Sequence, residues 1–467
     1  MKSSMLMAAA CVAAGLSLAA PACADEASDL ATIKRQIGQM QKEYNARIQA
    51  LEARLKKAEA AAKTANQTAS TAKTSAEDAK VTAEQVQQSF QAAAETPAAE
   101  APTPPTSAGA FNPGIAAVLN GFYGGYSHDP RMQRIAGFAI GDEARLAPSG
   151  FSLGESEISF AANIDPSLAG FLDISFDDQN QPSVEEAYVR TTSLPGGFTL
   201  KAGRFLSGIA YLNERHAHDW IFSDAPLPYR AFLNNQYGDD GVQLHWLAPT
   251  DIFLEFGAEW FRGDEFPAEG AAHGGHGTWT AYLHSGDDIN ESSSWLAALS
   301  YLHSRAGDRE TENAAFTGTD HFTGTDDLGI ASLVYKWSPN GNPLVQNFVG
   351  TTEFFYGKEK GLFDGIPIDT GRNGWYVQGD YQFMPQWSFG LRYAQLRGSN
   401  VPGALAGTTL DDFGMSPRAE TALLEYDSSE FGRLRLQYSH DETGLKPNDE
   451  VLLQYTVIYG PHGAHRY

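Results

Sequence analysis

Two stretches decide the fold: Trp387-Ser388-Phe389-Gly390-Leu391-Arg392-Tyr393, and Val451 to Tyr459, which reads VLLQYTVIY. In the first, Trp, Phe, Leu and Tyr alternate with Ser, Gly and Arg. Successive side chains of a strand point to opposite faces, so this rhythm predicts a strand with one apolar and one polar face. The same period-two pattern runs from Ile115 to the end of the chain. About sixteen such runs can be distinguished. The first begins near Ala116, the tenth near Leu328, the twelfth near Asn373 and the last near Glu450.

The connections between the runs alternate short and long. Short ones include Asp165-Pro166-Ser167, Leu194-Pro195-Gly196-Gly197, Ala248-Pro249-Thr250, Met384-Pro385-Gln386 and Asp427-Ser428-Ser429. Long ones are Ser127–Phe151, Leu206–Asp240, Gly263–His276, Arg305–Asp327, Lys358–Arg372 and Gly398–Pro417. Short turns on one side and long loops on the other mark transmembrane barrels of the outer-membrane type. Alternation by itself does not separate a barrel from a soluble sandwich or propeller. The loop asymmetry, the aromatic strand ends, an export signal and the lack of cysteine beyond it favour the barrel.

The export signal is read in residues 1–24. Lys2 supplies the positive start, Leu6 to Ala20 a short apolar core, and Ala22-Cys23-Ala24 a cleavage site before Asp25. Ala20-Pro21-Ala22 is a poor approach to a lipidated Cys23. Both cysteines, Cys11 and Cys23, fall in this segment, so the exported chain would hold none. That excludes cysteine catalysis, zinc fingers and iron–sulfur chemistry. The expected location is the outer membrane of a Gram-negative bacterium, with outer-membrane lipid as a partner and both barrel ends in the periplasm.

Residues 25–90 read as a periplasmic helical coiled coil. Leu30, Ile33, Ile37, Met40 and Tyr44 follow a 3–4 spacing; an extra four-residue step to Ile48 reads as a stutter. The seam then becomes alanine-rich, from Ala58 to Ala83, and resembles the trimeric coil of the murein lipoprotein. A lone, partly disordered Ala-rich helix is the alternative. If helical throughout, it would reach about 90 Å and could approach peptidoglycan. Residues 91–113 form a linker with Pro97, Pro102, Pro104 and Pro105, and 114–467 the barrel. The predicted fold class is thus an all-β transmembrane barrel of about sixteen antiparallel strands, preceded by a coiled coil.

The net charge of −24 argues against nucleic acid as a partner. Sixteen strands enclose an aqueous lumen, so charged residues opposite the apolar face should line a wet pore. These pore-wall candidates are Glu155, Glu157, Glu255, Glu259, Asp380, Arg433 and Arg435. From Gly114 onward acids outnumber bases about two to one, which predicts a preference for cations. The long connection Leu206–Asp240 holds the densest polar set: Arg215, His216, His218, Asp219, Arg230, Asp239 and Asp240.

At this point the barrel resembles general and phosphate-selective trimeric porins. Val184-Glu185-Glu186-Ala187-Tyr188-Val189 and Leu200-Lys201-Ala202-Gly203-Arg204-Phe205 look like the strand pair before their third loop. The resemblance implies a homotrimer and a third loop that folds inward to narrow the pore. The basic ladder of phosphate selectivity is not evident, so that substrate is not carried over. The His-bearing loop and the tail Gly460-Pro461-His462-Gly463-Ala464-His465-Arg466-Tyr467 also resemble proteins labelled zinc-regulated outer-membrane receptors. Candidate metal ligands are His216, His218 and Asp219, with His273 and His276; imidazole and carboxylate suit Zn²⁺. No cofactor is otherwise expected, and the alternative is that these histidines simply line the surface or pore. No motif brings Ser or Asp to His as in outer-membrane hydrolases, so an enzyme is not expected. The expected function is diffusion of small hydrophilic solutes or ions. An envelope tether that works through its coil and a zinc-linked uptake channel are the alternatives.

Overall fold

A computed structural model describes Lys56 and residues 113–460, apart from 178–180, 271–273, 275, 276 and 400. The signal segment, the coiled coil apart from Lys56, the linker apart from Pro113, His462 and His465 lie outside the described residues, as do His273 and His276.

Sixteen antiparallel staves close on themselves. They are β1 (Gly114–Tyr126), β2 (Gly150–Leu153 and Ser156–Asp165), β3 (Leu168–Phe176), β4 (Pro182–Thr191) and β5 (Phe198–Leu206). Next come β6 (Gly238–Leu247), β7 (Phe253–Phe261), β8 (Thr278–Asn290), β9 (Ser293–Glu312) and β10 (Thr319–Trp337). The rest are β11 (Asn347–Phe363), β12 (Ile366–Met384), β13 (Trp387–Arg397), β14 (Arg418–Ser429), β15 (Gly432–Asp441) and β16 (Asn448–Tyr459). Each pairs with its sequence neighbours, and β1 closes the ring on β16 through Ala117↔Tyr459 to Tyr126↔Glu450. The first and last staves therefore meet at one rim, as an even count requires.

β2 is one stave with a bulge. Between the pairs Gly121↔Leu153 and Val118↔Glu157 it carries one residue more than β1. Such an insertion bends the strand. Gly154 sits in it, where a Cβ would run into the Phe122 ring at 2.3 Å.

Period two is obeyed around the ring. On β15, Leu434, Leu436 and Tyr438 are exposed outward, while Arg435, Gln437 and Ser439 are buried inward. On β16, Val451, Leu453 and Tyr455 face out and Glu450, Gln454 and Thr456 face in. On these two staves the side chains place mainly apolar groups outside and polar groups inside, the inverse of a water-soluble sandwich.

Two connections differ from the sequence expectation. Arg305–Asp327 and Lys358–Arg372 are largely strand: β9 runs for 20 residues, β10 for 19, β11 for 17 and β12 for 19. Hydrogen-bonded pairs remain stable in water, so polar residues extend the ladder rather than end it; Lys358 and Asp369 hold a 3.1 Å ion pair across it. β11 and β12 join through Asp364 and Gly365, both at positive φ (48° and 75°). That is the Asp-Gly signature of a tight two-residue hairpin. Likewise Asp427-Ser428-Ser429 finishes β14, and the turn proper is Glu430–Phe431.

Candidate functional site

The segment 207–237, between β5 and β6, folds into the barrel. Its apolar side chains explain why. Ile209, Leu212, Trp220, Leu227, Tyr229, Phe232 and Leu233 are too many for a loop in water, and all are buried. They pack on wall residues Leu302, Leu328, Ile330, Phe355, Tyr376 and Leu396. The lumen therefore contains an apolar core at this level.

Several wall groups fasten the segment. Glu259 accepts hydrogen bonds from Ser207 Oγ, from Gly208 N at 2.9 Å and from Gln243 at 2.6 Å. Asn213 ties the two ends of the segment together, donating to the carbonyls of Ser207 and Tyr237, each at 2.8 Å. The helix α1 (Leu227–Leu233) is buried at every residue. Phe232 enters a gap left by Gly357 and Gly374, where added Cβ atoms would meet its ring at 2.7 and 3.4 Å. There it stacks on Phe355, with ring centres 6.0 Å apart. Beside it, Glu353 accepts from Tyr229 at 2.6 Å, Tyr376 at 2.5 Å, the Tyr211 amide at 2.8 Å, and Ser332.

A basic wall on β13 and β15 also holds the segment. Arg435 donates to the Trp220 carbonyl and, at 2.7 Å, to Glu425. Arg433 donates to the His218 carbonyl at 2.6 Å. Arg392 holds the Asp224 carboxylate at 2.6 Å.

These contacts correct part of the pore-wall reading. Glu157, Glu259 and Arg435 do face inward, yet they are buried at 1%, 4% and 0% exposure rather than bathed in lumen water. The inward segment covers them. Arg433 is half-buried and spends a hydrogen bond on that segment. Asp380 is half-buried and accepts from Ser388 at 3.1 Å. Glu155 lies in the β2 bulge, its carbonyl accepting from Asn120 at 2.7 Å. Glu255 takes His245 at 3.0 Å and lies 3.5 Å from His284.

The loop reading also needs correction at its end. Asp239 and Asp240 belong to β6, because the inward segment ends at Tyr237. Asp239 is buried and accepts from the amides of Gly263 and Asp264 at 2.7 and 3.0 Å, anchoring the next loop. Asp240 is exposed near Arg262 and Arg204. Arg230 does sit in the segment, but α1 buries it, and it donates to the Ala144 carbonyl at 3.0 Å.

The remaining loop candidates meet at a cavity of about 590 Å³ inside the barrel. Arg215, His216, His218 and Asp219 line it together with Glu157, Asp173, Glu214, Glu255 and His284. Arg215 lies over the Tyr211 ring at 4.5 Å. The turn Ala217–Asp219 presents both histidines to the wall. His218 Nδ1 is 2.8 Å from Glu157 Oε1 and its Nε2 3.5 Å from Asp219. His216 Nδ1 is 3.3 Å from both Glu157 and Glu185, and its Nε2 is 3.2 Å from Glu186. Burial by itself would lower the His216 pKa. The carboxylates of Glu185, Glu157 and Glu186 outweigh it and hold this imidazole well above its ordinary value.

Glu185 and Glu186 escaped the sequence reading for a definite reason. Strict alternation sends only one of two consecutive residues inward. On β4 the register slips, with Asp173↔Glu186 followed by Ile174↔Val184, so Glu185 is an extra, bulged residue. The bulge turns both carboxylates toward the lumen. The adjacent Glu-Glu pair was the available signal.

No protein-family model matches the chain. An uncharacterized protein of Aquifex aeolicus is 27% identical over 395 residues, which covers 77% of this chain and 81% of that protein. Among solved structures, the outer membrane channel DcaP of Acinetobacter baumannii is 10% identical and covers 75% of this chain and 97% of that chain, with a TM-score of 0.48. In vitro folded OmpT of Vibrio cholerae, in a trimer form, is 11% identical over 75% of this chain and all of its own, with a TM-score of 0.47. An anion-selective porin from Comamonas acidovorans is 11% identical over the same shares, with a TM-score of 0.46.

Proposed function

We propose that this protein is an outer-membrane channel that passes small hydrophilic solutes or ions by diffusion, with a preference for cations. The observation that carries the reading is an acid-rich cavity enclosed by a closed barrel whose outside is apolar. Leu434, Leu436, Tyr438, Val451, Leu453 and Tyr455 would expose a continuous apolar belt to water, whereas lipid covers it without cost. A closed ring also leaves no backbone edge unpaired, which hydrocarbon demands.

Five carboxylates line the cavity, Glu157, Asp173, Glu214, Asp219 and Glu255, against one guanidinium, Arg215, and three imidazoles. That balance lowers the barrier to cations. The inward segment makes the narrowing. The reading keeps the homotrimer expected from the sequence, and it assigns the barrel transport rather than catalysis.

Single-channel recording in planar bilayers with a salt gradient tests it. Conductance steps arriving in threes, with a cation-biased reversal potential, are expected. A folded barrel with no conductance sinks the reading, and an anion-biased reversal sinks its selectivity.

A further inference from the structure

We infer that His216, His218, Glu157 and Glu185 form a binding site for one divalent transition-metal ion, Zn²⁺ by its donor chemistry, between the inward segment and the barrel wall. Three buried atoms there make no well-formed hydrogen bond and meet only in ion-pair contacts with one another: Glu157 Oε2, Glu185 Oε2 and His216 Nδ1. His216 Nδ1 lies 3.3 Å from each of the two carboxylate oxygens. Ligands about 2.0–2.1 Å from a tetrahedral zinc stand roughly 3.3 Å apart, so these separations match two edges of such a shell. His218 offers the fourth donor, since one ligand atom each from Glu157, His216 and His218 lies within 4.8 Å of the others.

Charge leads to the same place. Glu157, Asp173, Glu185 and Glu186 crowd the site, and two imidazoles supply at most two compensating charges. Buried carboxylates in excess are costly unless a cation joins them. Buried polar atoms seek good partners, and a cation beside His216 Nδ1 would give Glu157 Oε2 and Glu185 Oε2 a stronger one than the 3.3 Å imidazole contact they share. Imidazole donors disfavour Ca²⁺ and Mg²⁺, which prefer all-oxygen shells. The neighbouring cavity gives the ion a route of approach.

The site differs from the set read in the sequence. Glu157 and Glu185 come from β2 and β4, brought to the histidines by the inward fold of the segment after β5 and by the β4 bulge. Asp219 stands behind His218 rather than among the converging atoms. The inference does not depend on conduction, which is recorded separately without metal.

The test is calorimetric titration of the full-length protein in detergent with Zn²⁺, plus metal analysis after desalting. The wild type should retain one Zn²⁺ per chain. Glu157→Gln and His216→Ala should each weaken binding by at least the roughly 10–100-fold that losing even an outer partner costs a metal site. His440→Ala, on the outer face beside Asp449, should leave it unchanged. Heat-shifted gel migration reports that each variant remains a folded barrel. Wild-type binding no tighter than that of the Glu157→Gln, His216→Ala double variant overturns the site. An equal loss in His440→Ala overturns it in favour of surface adsorption. Displacement by millimolar Ca²⁺ overturns the assignment to a transition metal.

Discussion

The two halves of the inward segment are held in opposite ways. The helical half, around Tyr229 and Phe232, meets the wall through aromatic stacking and through Glu353, which takes four donors. The histidine half, around His216 and His218, meets more carboxylates than its imidazoles can match, at ion-pair distances of 2.8–3.3 Å. Both halves bury charge inside the same barrel. A carboxylate with four donors rigidifies what it touches, whereas carboxylates in excess of their cations stay partly uncompensated. The difference teaches which end is scaffold and which end works.

Four experiments would break or sharpen that contrast. Phe232→Ala empties the gap at Gly357 and Gly374 and should cost docking of the helical half about 3–5 kcal/mol. Hydrogen exchange over Leu227–Leu233 should lose its protection, and conductance should rise; unchanged protection would mean the helix is held elsewhere.

Next, Zn²⁺ at about 100 times its Kd should strengthen the histidine half by about 2.7 kcal/mol, which chelation removes. Exchange should then speed up at His216–Asp219 and not across the helix. A uniform response along 207–237 would join the two halves into one unit.

Tyr229→Phe removes one donor from Glu353 and leaves the Leu212 amide, which it accepts at 2.8 Å, without a partner. A loss of about 1–3 kcal/mol is expected in the same exchange measurement. A loss below that range would show that Tyr376 and Ser332 suffice.

The smallest effect belongs to Arg215→Ala. It gives up the contact over the half-buried Tyr211 ring, worth about 0.5–2 kcal/mol. It also leaves the cavity lining more acidic, so the reversal potential should shift further toward cations. A shift toward anions would place the selective charges outside this cavity.

The barrel was legible in the sequence because its signal is local. Leu434, Leu436 and Tyr438 against Arg435, Gln437 and Ser439 show period two without reference to any other strand. Sixteen staves followed from counting such runs. The misread stretches, Arg305–Asp327 and Lys358–Arg372, mix apolar and polar residues on both faces, with Leu362 exposed beside buried Phe363 and Arg309 buried, so their alternation carries little contrast; only their pairing makes them strands.

The candidate site was half legible. The His216-Ala217-His218-Asp219 cluster stood out as chemistry-bearing, and Glu157 was placed on the inner face. What brought them together was not visible. Glu185 needed a bulge to turn inward, and bulges depend on the partner strand's register. Wall charges such as Arg435 and Glu259 looked like pore lining because a strand cannot reveal what a distant loop will lay over it.

The sequence by itself determined about sixteen strands, most with one apolar and one polar face, since alternation is a property of neighbouring residues. Only the tertiary structure decided that the strands close into a ring, that residues 207–237 fold into it and that Glu157 and Glu185 meet His216. Those outcomes depend on ring closure, on glycine gaps at 357 and 374, and on a one-residue register slip. Each joins residues far apart along the chain, where local periodicity holds no information.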